Sequence, residues 1–304
     1  MKIFVLAIAA LFAVGCSKSV EQSESTAKSP IFHATLEQGE ESRTYLDENI
    51  RLRWTANDRI TLFEGTTRNK QYKFMGETGD NAGDFMDVTA GFGTGKDVDR
   101  YYAIYPYAYS NKLHEDGYIT YTLPEKQTYA AGSVGLGANV MVAVTADLDD
   151  FDLAFRNVGS YLLVKLYGED QTVGSISVKT IGGEPLSGKS YITPVYGSIP
   201  TVEIIDGSDT VKLDCGNGIT VGTTQQSATP FWIVLPAFTA SQGIEVTVNG
   251  FYGGSQTYEV ASEITFNRNK YKSLTRELTI ASSDTGMGVG GWEDSGEDLG
   301  GSAE

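Results

Sequence analysis

The chain has 304 residues, of which 39 are acidic, 23 are basic and 35 are glycine, and its formal net charge is −16. Such an acidic surface repels phosphate backbones, which excludes nucleic acid as an expected partner. Only two histidines and two cysteines occur, leaving little material for histidine-dependent catalysis or for a disulfide framework. No phosphate-binding glycine loop, zinc-protease motif or paired-cysteine motif is present. We therefore expect no cofactor, no metal and no enzymatic activity.

The start of the chain predicts export. Lys2 precedes an apolar run, Ile3–Val14, that is too short to span a bilayer and stops at Gly15 and Cys16. This pattern predicts a lipoprotein signal peptide, with Cys16 as the acylated first residue of a mature chain of charge −17. Several acyl chains would hold that chain on a membrane, because each buried methylene contributes about 0.8 kcal/mol. The alternative is an ordinary signal peptide, since Ala13 stands where a lipobox usually has leucine.

The chain beyond Cys16 begins with a polar stretch that is predicted to be a flexible tether, because it has too few apolar side chains to bury a core. Short runs with alternating apolar side chains follow, closed by turn residues about every ten residues. We find no helical apolar stripe, so the chain is predicted to be all-β. The predicted strands are Phe32–Leu36, Ile60–Phe63, Gln71–Phe74, Tyr101–Tyr105, Ile119–Leu123, Val140–Thr145, Tyr161–Tyr167, Ser175–Thr180, Val202–Ile205, Phe231–Leu235, Ile244–Asn249, Thr257–Val260 and Ser273–Ile280.

These thirteen strands are too many for one sandwich and fit two. The join is placed at the acidic turn Asp147–Asp152, which follows one apolar strand and precedes a new run of hairpins. The predicted organisation is a signal peptide (1–15), a tether (16–30), an N-terminal β-sandwich (31–150), a C-terminal β-sandwich (151–281) and a tail rich in Gly and Asp (282–304). One short strand is predicted in that tail, at Val289–Trp292.

Few residues are candidates for chemistry. His33 belongs to a strand and His114 to a polar turn, and neither is expected to be catalytic. The acidic turn offers oxygen ligands for calcium, but it lacks the glycine and the terminal Glu of an EF-hand loop, so a solvated turn is predicted. Cys215 is predicted to be a buried structural thiol.

Tyrosines are concentrated in the run Tyr101–Tyr109. Its alternating part predicts a packed strand that is closed by Pro106. Tyrosine combines an apolar ring face with a polar edge, as sugar-binding sites require. Tyr107 and Tyr109 are therefore candidate glycan contacts.

An ordered series of motifs runs through nearly the whole predicted mature chain. It comprises Cys16 with its polar spacer, Phe32–Glu37 leading to Arg43-Thr44, Leu52–Phe63 with Trp54 and Asp58, Ala103-Ile-Tyr-Pro106, Leu123-Pro124 with Gln127, Leu153–Val158, Leu186-Ser-Gly188 and Trp292. Each motif alone is common. Together, and in this order, they resemble the fimbrillin (Mfa-like, type V pilin) family of surface lipoproteins from anaerobic Gram-negative bacteria of gut and mouth.

The resemblance implies two transthyretin-like Greek-key β-sandwiches in tandem. Family members reach the outer membrane and the cell surface as lipoproteins, and a trypsin-like protease then removes the first strand. A terminal strand of the next subunit fills the groove that is left. Arg43 and Thr44 match the two sides of that cut, and Ile31–Leu36 matches the strand that leaves. The resemblance thus implies a structural or adhesive fimbrial subunit, with other fimbrial subunits and, through acylated Cys16, the membrane as partners.

The tail departs from the family pattern. Met287, Val289 and Trp292 do not share one parity, so the tail is a poor donor strand, and Leu274–Ile280 is the alternative. An accessory, tip or anchor subunit and a standalone surface lipoprotein fit such a tail equally well. The rival function is a glycan-binding surface lipoprotein, and a glycoside hydrolase is a third hypothesis. Asp209-Thr210-Val211 also resembles a short O-glycosylation sequon.

Overall fold

The computed structural model describes residues 29–37, 45–46, 52–66, 69–89, 98–280 and 289–290, with the backbone alone for 45–46 and 289–290. Within these ranges the chain is all-β, as predicted, and its only helix is the 3-10 turn Gln225–Ser227. The described residues include no helix of the length and apolar character needed to cross a membrane. Cys16, Arg43 and Thr44 lie outside the described residues.

The described residues form 24 strands. In chain order they are β1 (Phe32–Leu36), β2 (Tyr45–Leu46), β3 (Leu52–Arg53), β4 (Arg59–Phe63), β5 (Lys70–Phe74), β6 (Ala82–Asp87), β7 (Tyr102–Tyr105), β8 (Lys112–Leu113), β9 (Ile119–Leu123), β10 (Lys126–Thr128), β11 (Met141–Val144), β12 (Asp152–Asn157), β13 (Gly159–Tyr167), β14 (Thr172–Thr180), β15 (Ser187–Thr193), β16 (Thr201–Ser208), β17 (Thr210–Thr220), β18 (Thr229–Pro236), β19 (Phe238–Ala240), β20 (Ile244–Gly250), β21 (Ser255–Val260), β22 (Ile264–Phe266), β23 (Tyr271–Glu277) and β24 (Val289–Gly290).

Seven strands of the first half pair in a ring, in the order β1-β12-β11-β7-β4-β5-β6, and so close a barrel. Alternate side chains of these strands fill the barrel. In β1, for example, buried and exposed side chains alternate along the strand. Trp54, fully buried, packs there against a group of aromatic rings: Phe74, Phe85, Tyr105 and Phe155. Because this sheet closes on itself, the two tandem transthyretin-like domains of the sequence prediction are not confirmed.

The second half contains two facing sheets, one in the order β10-β17-β14-β20-β21-β24 and one in the order β18-β13-β23. The core between them is formed by inward side chains such as Val164, Ile176 and Ile233, each with no exposed surface. Cys215 belongs to this core and is 4% exposed. Burial, with the charge of Asp214 adding to it, raises the pKa of the Cys215 thiol to about 12, as expected of a structural thiol.

The two halves share sheets. β9 pairs with β15 in a four-stranded sheet, β16-β15-β9-β8, and β10 pairs in parallel with β17. The Gln127 side chain fixes this connection, since its Nε2 donates to the Val234 carbonyl at 2.7 Å and its Oε1 accepts the Val234 N–H at 2.9 Å. β12 follows residue 150 but belongs to the barrel. The domain boundary at residue 150 stays a prediction. A boundary that keeps all seven barrel strands in one domain falls after Asn157, where β12 ends.

Candidate functional site

The candidate site is the position of β1 in the barrel wall. β1 lies between β6, with which it pairs in antiparallel fashion, and β12, with which it pairs in parallel. Backbone hydrogen bonds run to both sides: the His33 N–H donates to the Phe151 carbonyl at 3.0 Å, and the Leu36 N–H donates to the Asn81 carbonyl at 3.2 Å. β1 is therefore a single-strand closure of the ring, and its departure would leave β6 and β12 with open edges.

Alternate side chains of β1 enter the barrel core. Phe32 and Ala34 have no exposed surface and Leu36 is 5% exposed, whereas His33 and Thr35 point to solvent. The Phe32 ring makes three edge-on aromatic contacts, with centroid distances of 5.5 Å to Tyr72, 4.9 Å to Tyr101 and 5.6 Å to Phe151. β1 thus places three alternate side chains in the barrel core, and alternate side chains of this kind are what give an added strand its specificity.

The end of β1 is tied by charge. Glu37 follows the strand directly, and its carboxylate accepts two hydrogen bonds from the Arg268 guanidinium, at 2.6 Å from Nη1 to Oε2 and 2.8 Å from Nη2 to Oε1. Arg156 lies on the same carboxylate, 3.5 Å from Oε1, and the Asn157 N–H donates to Oε2 at 3.3 Å. The Glu37 and Arg268 side chains are only 16% and 18% exposed, so the pair is largely shielded from water.

Arg268 also contacts residues other than Glu37. It lies between β22 and β23, and its Nη1 also donates to the Asn157 carbonyl at 2.9 Å. The Asn157 side chain, fully buried, donates to the Tyr161 hydroxyl at 2.8 Å, and the Asn269 N–H donates to the Gly159 carbonyl at 2.8 Å. These bonds hold the turn that carries Arg268, and none of them involves β1.

The position of β1 between β6 and β12, called the β1 slot below, is polar at its other end as well. Ser29 donates to an oxygen of Asp87 at 2.7 Å, and Lys70, which is 7% exposed, lies 2.8 Å from Glu64 and 3.5 Å from Asp87. Burial, with the charges of Glu64 and Asp87 adding to it, raises the pKa of Tyr72. β1 itself contributes no charged side chain to this cluster, in contrast to Glu37 at the other end.

Asp58 is a buried carboxylate of the barrel. It is 6% exposed, and it accepts hydrogen bonds from the Thr55 N–H at 2.8 Å and from the Tyr105 hydroxyl at 3.2 Å. Burial raises its pKa from 3.8 to about 6, although both hydrogen bonds lower it. Asp58 ends the turn that leads from Trp54 into β4, so its role is to hold that turn.

The predicted glycan contacts are placed differently from each other. Tyr109 is 91% exposed, whereas Tyr107 is half-buried and donates its N–H to the Arg59 carbonyl at 2.8 Å. Asn69 holds the turn through its Nδ2, which donates to the carbonyls of Ala108, Tyr109 and Asn111. Among the described residues no ring contact joins the two tyrosines, and glycan binding by this pair stays a prediction.

The acidic turn uses its carboxylates on its own backbone. Asp147 accepts the N–H groups of Asp149 and Asp150 at 2.9 and 3.0 Å, and Asp150 accepts those of Ala146 and Asp152 at 2.8 and 2.9 Å. This explains the acidic composition without a cation. In the ranges that the structure describes, no group of three or more His, Cys, Asp or Glu residues is arranged to hold a metal.

Both histidines lie on the surface of the fold. His33 is half exposed and contacts Asp84 at 3.0 Å. His114 contacts the Thr120 hydroxyl at 2.8 Å and stacks on the Tyr118 ring at a centroid distance of 4.2 Å. Each contact is explained by strand and hairpin packing.

The sequence did not reveal Glu37 and Arg268 as a pair, because 231 positions separate them. The only local signal was an acidic residue placed directly after the alternating residues of the first strand. Such a residue is ordinary at a strand end, so it could not indicate a buried partner.

Comparison with known proteins gives only structural similarities. No family model matches the sequence, and no curated protein matches it. A "putative cell adhesion protein" from Bacteroides ovatus is 15% identical with a TM-score of 0.46, over 85% of this chain and 97% of that one. One with the same description from Bacteroides uniformis is 16% identical with a TM-score of 0.46, over 81% and 92%. The tip fimbrial protein Mfa3 from Porphyromonas gingivalis is 9% identical with a TM-score of 0.33, over 82% and 96%.

The names of these neighbours agree with the family that the sequence resembles. The identities and TM-scores carry over no residue role and no activity. The function of this chain is therefore inferred from its own residues.

Proposed function

We propose that this protein is a non-enzymatic fimbrial subunit, structural or adhesive, that is exported as an outer-membrane lipoprotein through Cys16 and displayed at the cell surface. In this proposal a cut between Arg43 and Thr44 frees β1, and a strand of another subunit takes its place. The proposal assigns the barrel and the sandwich the places that the two transthyretin-like domains have in the family.

One observation carries the proposal. β1 alone closes the ring between β6 and β12, and it inserts three alternate side chains into the aromatic core. A strand held in this way by backbone bonds and periodic knobs is replaceable by another strand of the same pattern. The cross-connections through β9, β10 and Gln127 do not involve β1, so they remain when it leaves.

The mature N-terminus of protein taken from the cell surface tests this function. By mass spectrometry we expect assembled protein to begin at Thr44 without lipid, and Arg43→Ala protein to begin at acylated Cys16 and to stay out of fimbriae. Arg51→Ala is the matched control, and it should be processed like the wild type. Assembled fimbriae that contain intact chains starting at Cys16 would contradict the proposed cut and point to an anchor or a standalone surface lipoprotein.

The glycan-binding alternative is favoured by one observation, the nearly complete exposure of the Tyr109 ring. If that ring stacks on sugars, Tyr109→Ala should weaken saturable retardation in polysaccharide affinity gels by about five-fold, since a stacking contact contributes about 1 kcal/mol. Tyr252→Ala is the control, because Tyr252 is also a tyrosine and is 78% exposed. Equal migration of wild type and Tyr109→Ala in every gel would remove this alternative.

A further inference from the structure

We propose that the position of β1 selects its occupant by charge: a strand from another subunit must place a carboxylate directly after its third inward side chain, where Glu37 now stands. This inference rests on the proposed strand exchange and specifies the partner. The partner segment is a β-strand with three alternating inward residues followed at once by Asp or Glu.

The first step is the geometry at Glu37. Both oxygens of the carboxylate are engaged by the two terminal nitrogens of Arg268, an arrangement that a planar guanidinium forms with carboxylates and that a neutral amide does not reproduce. Arg156 adds a second positive charge at 3.5 Å. The contact therefore requires a negatively charged group, and its two parallel bonds fix where that group lies.

The second step concerns the slot after β1 has left. Arg268 keeps its bond to the Asn157 carbonyl, because both residues belong to parts of the chain that stay. Among the described residues, Glu37 is the only acidic side chain within ion-pair distance of Arg156 or Arg268. The guanidinium groups of Arg268 and Arg156, which are 18% and 30% exposed with Glu37 in place, would then have no counter-charge among the described residues. A neutral strand would bury them in this state, which is strongly unfavourable, whereas an acidic strand restores the pair.

The third step concerns register. A strand that slips by one residue turns its inward side chains to solvent, so the apolar groove already opposes odd slips. A slip by two residues keeps the inward face and is opposed less by the apolar side chains. It would, however, move the carboxylate about 6.5 Å along the groove, away from Arg268. The charge at the end of the slot therefore distinguishes registers that the apolar core alone does not.

The contact of His33 near the other end of β1 is a useful contrast. His33 Nδ1 and Asp84 Oδ1 lie 3.0 Å apart, but their side chains are 50% and 59% exposed. Such exposed contacts contribute little because water and salt screen them. The two positions, Glu37 and His33, therefore provide a test residue and a matched control within one short peptide.

The experiment is peptide exchange into the cleaved protein. The lipid-free mature chain is cut with an Arg-specific protease so that β1 remains bound without a covalent link. Fluorescent peptides of residues 29–38 then compete for the slot, and anisotropy gives their relative affinities. We expect the Glu37→Gln peptide to bind at least about 30-fold more weakly than the wild-type peptide. The His33→Gln peptide should lose less than about five-fold.

An Arg268→Gln protein completes the cycle. In it the difference between the wild-type and Glu37→Gln peptides should fall below about five-fold, and Arg268→Lys, which keeps the charge but loses the paired donors, should lie in between. Arg268→Lys carries the same test if Arg268→Gln does not fold. Equal binding of the wild-type and Glu37→Gln peptides would overturn the charge selection and leave strand exchange standing. Failure of the wild-type peptide to exchange after cleavage would overturn the proposed function and this inference together.

Discussion

Phe32→Ala should lower the free energy of unfolding of the intact protein by about 3–5 kcal/mol, the range for removing a fully buried phenylalanine from a well-packed core. The side chain has no exposed surface, and its ring meets three other aromatic rings edge-on. Losing these ring contacts adds to the free-energy cost that comes from the lost buried area. The change in the free energy of unfolding can be measured by denaturant unfolding followed by tryptophan fluorescence, since Trp54 lies in the same core.

Thr35→Ala is the matched control in the same strand. Thr35 points to solvent, and we expect a change of at most about 0.5 kcal/mol. After cleavage near Arg43, the Phe32→Ala variant should also lose its β1 peptide faster than wild type, because the peptide then lacks its largest knob. Similar stabilities for Phe32→Ala and Thr35→Ala would mean that β1 does not pack as a core strand, and the replaceable-strand argument would fail with it.

Much of the fold was predictable because strand periodicity is local. All thirteen predicted strands are present, with ends within three residues of those predicted. Several strands were missed, and for two different reasons. β6 reads AGDFMD and has one fully buried side chain, Phe85, so its position is set by neighbouring strands and no pattern within the strand encodes it. β12 and the first part of β17 do alternate buried and exposed side chains, so these two strands were missed although the local pattern was present.

The arrangement of the strands was less predictable than their existence. Closure of the barrel depends on β12 pairing with β1 across more than a hundred residues, and the sharing of sheets between the halves depends on β9 meeting β15. Contacts of this kind are long-range and leave no periodic trace in the sequence. The same limit applied to the site: the alternation that predicted β1 was local, whereas the Arg268 partner of Glu37 was not.

In the proposed strand exchange, contacts that do not involve β1 would hold the remaining fold together. The N-terminal barrel is tied to the rest of the chain by β9 on β15, by β10 on β17, and by the two hydrogen bonds of Gln127. Arg268 donates to the Asn157 carbonyl at the end of β12 and contacts the segment that follows β1 through Glu37. The receiving site is thus largely assembled from residues that stay, so an incoming strand has less to order on binding.

The second large effect concerns pH. Asp58 has a pKa of about 6 in the folded protein against 3.8 for an unperturbed aspartate, because burial disfavours its charge. The folded state therefore binds the proton more tightly than the unfolded state. The contribution of this group to stability is fully present below pH 3.8 and is lost as the pH rises through 6. The difference of about two pKa units corresponds to about 3 kcal/mol.

Asp58→Asn should remove this dependence. An asparagine can accept the Thr55 N–H through its oxygen and donate its amide to the Tyr105 hydroxyl, so the turn before β4 keeps both contacts in a neutral form. We expect the stability of the wild type, relative to that of Asp58→Asn, to decline by about 3 kcal/mol between pH 3 and pH 7 in chemical denaturation. Thr35→Ala, which changes an exposed side chain and no ionisable group, should follow the wild-type curve. Parallel curves for wild type and Asp58→Asn would show that Asp58 is not titrating in a buried site. If the wild type instead gained stability relative to Asp58→Asn towards pH 7, the hydrogen bonds of Asp58 would outweigh the effect of its burial.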